Sequence, residues 1–218
     1  MRPENTLEAF EYAIGIGVDA IEMDIAVTRD DVPVVSHDPW IADGTAIRLL
    51  SRGELRERSP HVPALADVLE LASAGTFLFN IEIKSFPGRP ELAPEPDRFT
   101  RLVLPEIDRR GLRARCMLQS FDYRILHAAA RQAREIPRGA LFEMGEDFVA
   151  AAREAGASIA VPEFHLVTPD RVRAAHHAGL EVFTWTPDDP QDWRALIAAG
   201  VDAIITNDPG RLLAFIGR

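Results

Sequence analysis

Residues 17–38 read Gly17-Val18-Asp19-Ala20-Ile21-Glu22-Met23-Asp24-Ile25-Ala26-Val27-Thr28-Arg29-Asp30-Asp31-Val32-Pro33-Val34-Val35-Ser36-His37-Asp38. From Ala20 to Val27 apolar residues alternate with acidic or small ones, the period-two pattern of a strand. Glu22 and Asp24 are two positions apart, so on a strand they point the same way. Two carboxylates side by side repel each other unless a cation or water screens them, and a hard divalent ion takes oxygen ligands of this kind. The pair alone fits a metal site and fits equally well a solvent-facing acidic edge. A second short apolar run, Val32 to Val35, brings His37 and Asp38 to the same region. A histidine near a metal is a ready proton donor or acceptor, which tips the reading toward a metal site.

Upstream, Asn5-Thr6-Leu7-Glu8 places an amide three residues before a glutamate, a capping-box-like helix start with Asn5 as the cap. Leu7, Phe10 and Ile14 then recur at helical spacing up to Gly15 and Gly17. Downstream, residues 39–63 break the rhythm with the turn signals Asp43-Gly44 and Ser51-Arg52-Gly53, a compact insertion with at most one helical stretch at 53–57. Beyond Pro63 the sequence predicts helices over 64–74, 96–110, 122–134, 146–155, 169–178, 190–199 and 209–216. Strands are expected between them over 77–84, 115–120, 139–142, 158–162, 181–186 and 202–206. Gly156, Gly179 and Gly200 each stop a helix just before a strand. Alternation at this spacing means parallel strands with right-handed crossovers in one domain spanning 1–218. Counting from Ala20 gives seven strands, one short of a closed (β/α)8 TIM-type barrel, whose first strand is therefore expected to be missing. A doubly wound open sheet is the alternative, although no Gly-x-Gly-x-x-Gly turn follows the first strand.

In such a barrel, chemistry sits where strands end. Asn80, Glu82 and Lys84 share one face late on a strand. With Glu22 and Asp24, Glu82 completes three carboxylates from two strands, an oxygen cage suited to Mg²⁺ or Ca²⁺. A buried ion pair bracing the sheet is the other reading of Glu82 with Lys84. Gln119, Ser120, Glu163 and Trp185 also end strands and are expected near the mouth, Trp185 either as a ligand wall or as packing. His61, His127, His165, His176 and His177 lack comparable company and read as structural or surface residues, His165 the least clearly because it follows a strand end.

A net charge of -10 and a pI near 5.1, with no lysine or arginine cluster of the kind a nucleic-acid binder needs, disfavour a polyanionic partner. The lone Cys116 lies in the apolar run Cys116-Met117-Leu118, so a buried thiol in a reducing, cytoplasmic compartment is expected. No apolar run approaches the ~18 residues of a membrane span, and the start carries no signal-peptide core.

Taken in order, several motifs resemble those of the glycerophosphodiester phosphodiesterase family. They are Pro3-Glu4-Asn5-Thr6, Gly17-x-Asp19-x-Ile21-Glu22-x-Asp24, Thr28-x-Asp30, Val34-Val35-x-His37-Asp38 and Asn80-Ile81-Glu82-Ile83-Lys84, and they span nearly the whole chain. The resemblance implies a metal-dependent barrel that cleaves glycerophosphodiesters to sn-glycerol 3-phosphate and an alcohol. It makes Glu22, Asp24 and Glu82 the metal ligands, Lys84 a phosphate contact, and His37 one half of a histidine pair; His37 could serve either proton role, and general acid to the leaving alcohol is the reading taken here. Trp185 resembles the family's late-strand tryptophan, and residues 39–63 correspond to a segment over the barrel mouth that helps choose the alcohol. The family's His-Arg-Gly motif, which precedes Pro-Glu-Asn-Thr on the first strand, has no counterpart here, so impaired turnover is expected. A non-catalytic metal- or phosphate-binding remnant and a lysophospholipase D-like relative are the alternatives. A missing strand would leave edges near Ala20–Val27 and 202–206 open to self-association.

Overall fold

The computed structural model describes residues 2–145 and 147–218, which form two compact units, Arg2–Ile136 and Pro137–Arg218. In the first unit α1 (Leu7–Gly15) leads into β1 (Ala20–Val27), and β2 (Pro33–Val35) turns back antiparallel on it, with Ile25 opposite Val35 and Val27 opposite Pro33. Then come α2 (Arg52–Arg58), α3 (Leu65–Leu69), β3 (Leu78–Ile83), α4 (Pro96–Asp108), β4 (Cys116–Ser120) and α5 (Tyr123–Gln132). The strand order within this unit is β2-β1-β3-β4, and β1, β3 and β4 run parallel.

The helix start differs from expectation. Thr6, not Asn5, caps α1, its hydroxyl accepting from Ala9 N at 3.3 Å. Asn5 sits at φ 54° and its amide is committed to Asp24, so it is not available to the helix end. The other sequence-predicted elements appear within a few residues of their expected ends. The helix expected from Glu146 begins as α6 at Phe148, and Glu146 itself lies outside the described residues.

Alternation on the strands divides the sheet into an apolar and a polar face. Ile21, Met23, Ile25, Phe79, Ile81, Ile83 and Leu118 are buried in one cluster with Phe99, Val103 and Ile107 of α4 and Ile125 of α5. Phe79 is fully buried, with the Phe77 ring centroid 5.1 Å away and the Arg115 guanidinium 5.6 Å from its centroid. Phe79→Ala is therefore expected to cost about 3–5 kcal/mol in a chemical denaturation series, and a loss below about 1 kcal/mol would contradict this packing.

The insertion at 39–63 is not a plain loop. Trp40 and Ala46 form a bridge, Ser51 and Glu54 build a reciprocal capping box on α2, and Ile41, Ile47, Leu50, Leu55 and Val62 pack with Ala26 and Val34. Trp40 itself stays exposed.

The second unit repeats a single strand and helix pattern. It comprises β5 (Arg138–Phe142), α6 (Phe148–Ala155), β6 (Ile159–Pro162), α7 (Pro169–His177), β7 (Glu181–Thr184), α8 (Pro190–Ala199), β8 (Ala203–Ile204) and α9 (Pro209–Phe215). Its four strands pair in sequence order, all parallel. Gly156 and Gly200 end α6 and α8 at φ 61° and 87°, the left-handed conformation that lets the chain turn into the next strand. Phe142, Phe148, Ala160, Val172 and Val182 make its core, and Trp193 is buried with its Nε1 donating to Pro187 O at 2.8 Å. Among the described residues no helix is long and apolar enough to cross a membrane.

Candidate metal and phosphate site

In the first unit the register sets Glu22 beside Asn80, Asp24 beside Glu82, and Glu82 beside Gln119. In-register neighbours on parallel strands project to the same side, so these five residues and Lys84 line the face opposite the apolar cluster. A carboxylate oxygen from each of Glu22, Asp24 and Glu82 lies within 4.8 Å of the others, an arrangement that could hold a metal ion. Lys84 Nζ stands 3.2 Å from Asp24 Oδ1 and 3.3 Å from Glu82 Oε1, and Gln119 Nε2 donates to Glu22 Oε1 at 3.1 Å.

The electrostatics leave this face short of positive charge. Asp24 and Glu82 are buried and Glu22 is half-buried. Burial, followed by the Asp24 and Glu82 charges, pushes the Glu22 carboxyl well above the usual carboxylate range. Burial and then Asp24 push Glu82 up to about 8, against the opposing pull of Lys84. Burial works against the charge of Lys84, but Glu82 and Asp24 outweigh it and raise its pKa. Three carboxylates facing one ammonium sum to two negative charges when all are ionised, which a divalent cation would balance.

The donor set fits such an ion on a second ground. Asn80 Oδ1 and Gln119 Oε1 are buried acceptors without a hydrogen-bond partner among the described residues. Buried polar atoms rarely stay unsatisfied, so these oxygens mark a place where a ligand or its water belongs.

The structure brings some predicted residues together and leaves others apart. Glu22, Asp24, Glu82, Lys84 and Gln119 form one contiguous group. Ser36 N donates to Asp24 O at 2.9 Å, so the loop carrying His37 leaves β2 alongside the strand that carries Glu22 and Asp24. His37 is exposed, with Nδ1 3.2 Å from Asp38 Oδ1. Glu163 and Trp185 lie in the second unit, where they face each other in an isolated parallel bridge. Glu163 accepts from His165 N at 2.9 Å and pairs with its Nδ1 at 2.8 Å, while Trp185 Nε1 donates to Val161 O at 3.0 Å. The expected surface histidine is thus His165 on a carboxylate tether.

One contact was not read from the sequence. Asn5 carries no periodic signal that would have linked it to Asp24, 19 residues away.

Three acids and one lysine on one face of neighbouring parallel strands are an arrangement that could hold a metal ion. The comparisons narrow that reading. The profile of the glycerophosphoryl diester phosphodiesterase family matches residues 1–211, and the chain belongs to this family. A glycerophosphodiester phosphodiesterase from Caldanaerobacter subterraneus subsp. tengcongensis is 31% identical over 235 residues, covering 98% of this chain and 92% of that protein. A solved structure from Silicibacter pomeroyi DSS-3, a candidate glycerophosphoryl diester phosphodiesterase, is 30% identical with a TM-score of 0.88, covering 98% of this chain and 88% of its own. An Oleispira antarctica phosphodiesterase, solved with its product sn-glycerol-3-phosphate, has a TM-score of 0.88 at 21% identity, covering 99% and 92%. That last likeness speaks to the fold alone. The chain accordingly has the TIM-like α/β fold of its family.

Proposed function

We propose that this chain hydrolyses glycerophosphodiesters to sn-glycerol 3-phosphate and an alcohol, with Glu22, Asp24 and Glu82 holding Mg²⁺ or Ca²⁺. The observation that carries the reading is the convergence of three carboxylates within 4.8 Å, flanked by Lys84, on a face with two orphaned buried acceptors. A bound divalent ion would supply Lewis-acid neutralisation of the non-bridging phosphate oxygens.

The remaining work falls to the chain. Lys84 presents an ammonium to the phosphate as a point charge, already held on the acidic face by Asp24 and Glu82. Gln119 keeps its Oε1 free while its Nε2 anchors Glu22, so it can accept from a glycerol hydroxyl. His37, exposed two residues beyond β2, gives its proton to the alcohol oxygen as the P–O bond to that oxygen breaks and water takes its place on phosphorus. In the second unit by itself, Glu163 and Trp185 are proposed as ligand contacts at strand ends. Membership of the family and the 31% identity to a glycerophosphodiester phosphodiesterase support this choice of reaction.

Lys84→Met is expected to lower kcat/KM by about 10²-fold, since it removes one charged donor aimed at the phosphate. An unchanged kcat/KM would remove Lys84 from the proposal. The function itself is tested by incubating the chain with glycerophosphocholine and glycerophosphoethanolamine in Mg²⁺, Ca²⁺ or chelator. Metal-dependent release of sn-glycerol 3-phosphate is the expected result, and a folded chain with no turnover under any of these conditions would favour the binding-remnant reading.

A further inference from the structure

Asn5 makes two hydrogen bonds to one residue. Its Nδ2 donates to Asp24 Oδ2 at 2.8 Å, and its Oδ1 accepts from the backbone Asp24 N at 3.1 Å. On β1 the odd residues turn their peptide groups toward β3, as Ile25 O shows by accepting from Lys84 N. Asp24 therefore turns its own N–H and C=O to the outer edge. Ser36 N closes the carbonyl at 2.9 Å, while the amide is closed by a side chain in place of a strand. The carboxylate is held on both oxygens, Lys84 Nζ at Oδ1 and Asn5 Nδ2 at Oδ2.

Asn5 reaches this position through a positive φ of 54°. Asparagine tolerates that conformation better than most residues, and a side chain with both a donor and an acceptor is needed for the double contact. Asn5 is half-buried, on the segment that enters α1.

We infer that Asn5 is a positioning residue which fixes Asp24 in the orientation that presents its carboxylate to the cation and seals the exposed edge of β1 at that point. The inference rests on the reading of Asp24 as a metal ligand. Hydrogen-bonded partners of metal ligands are worth about 10–100-fold in metal affinity, so the effect is measurable without turnover.

The test uses Asn5→Gly, which accommodates the positive φ and removes the side chain that bonds Asp24. Calorimetric titration with Mg²⁺ is run on the parent chain, Asn5→Gly and Glu82→Gln, and hydrogen exchange is read at the Asp24 amide. Asn5→Gly is expected to bind Mg²⁺ at least tenfold more weakly, with protection lost at Asp24 N and kept at Met23 and Ile25, while its melting temperature in chelator stays near that of the parent. Unchanged Mg²⁺ affinity in Asn5→Gly, with binding lost in Glu82→Gln, would overturn the positioning role and leave the metal site standing. No Mg²⁺ binding by the parent itself would overturn both.

Discussion

Glu82→Gln is expected to abolish metal-dependent hydrolysis, lowering kcat/KM at least 10³-fold, and to change how the metal-free protein responds to pH. Glutamine keeps the shape and an acceptor oxygen but offers no charge to a divalent ion, and Glu82 is one of only three carboxylates in the cluster. The stability effect has the opposite sign. In the folded chain burial, followed by Asp24, raises the Glu82 carboxyl from 4.5 to about 8. Between those values the unfolded chain has released the proton and the folded chain still holds it. The contribution of the neutral carboxyl is complete below pH 4.5 and is lost as pH rises toward about 8. Glu82→Gln removes this slope, so the metal-free variant is expected to be more stable than the parent at pH 8 and nearly equal to it at pH 4.5. Denaturation in chelator across that range checks the sign, and a variant less stable than the parent at pH 8 would contradict the account. The same proton competes with the cation, so metal affinity in the parent is expected to strengthen up to about pH 8.

His37→Ala is expected to lower kcat by about 10²–10⁴-fold while leaving metal affinity and melting temperature unchanged. The side chain is exposed and, among the described residues, pairs with the adjacent Asp38, so its removal leaves no cavity and no buried orphan. It stands two residues beyond β2, the strand bonded to β1. A substrate whose leaving alcohol is already acidic needs less proton assistance. With bis(p-nitrophenyl) phosphate, where the leaving group is a stable phenolate, the deficit is expected to shrink. An equal deficit on both substrates would mean that His37 does not act on the leaving group.

How much was readable beforehand follows the range of the interactions. Period-two alternation over Ala20–Val27 and over Asn80 to Lys84 is a local property, and the register that sets Asp24 beside Glu82 follows once those strands are parallel neighbours. The glycine stops at Gly156 and Gly200 were equally local. The Gln119 contact to Glu22 spans 97 residues and depends on β4 lying next to β3, which no pattern in either segment encodes. Asn5 was misread for a related reason. Its sequence context fits a helix cap, and only the tertiary approach of β1 diverts its amide to Asp24 and passes the cap to Thr6. The bonds of Glu163 to His165 come from a short-range turn that strand-end reasoning did not include.

The most direct test of the central claim, that one acidic face binds a divalent cation and a phosphate together, is ligand-linked unfolding. Parent and Glu82→Gln are melted in chelator, in Mg²⁺, and in each with sn-glycerol 3-phosphate added. A cation at 100 times its dissociation constant stabilises by about 2.7 kcal/mol. The parent is therefore expected to gain roughly 5–10 °C with Mg²⁺ and more with sn-glycerol 3-phosphate only when Mg²⁺ is present, and Glu82→Gln to gain neither. Identical melting of the parent in all four conditions would contradict it.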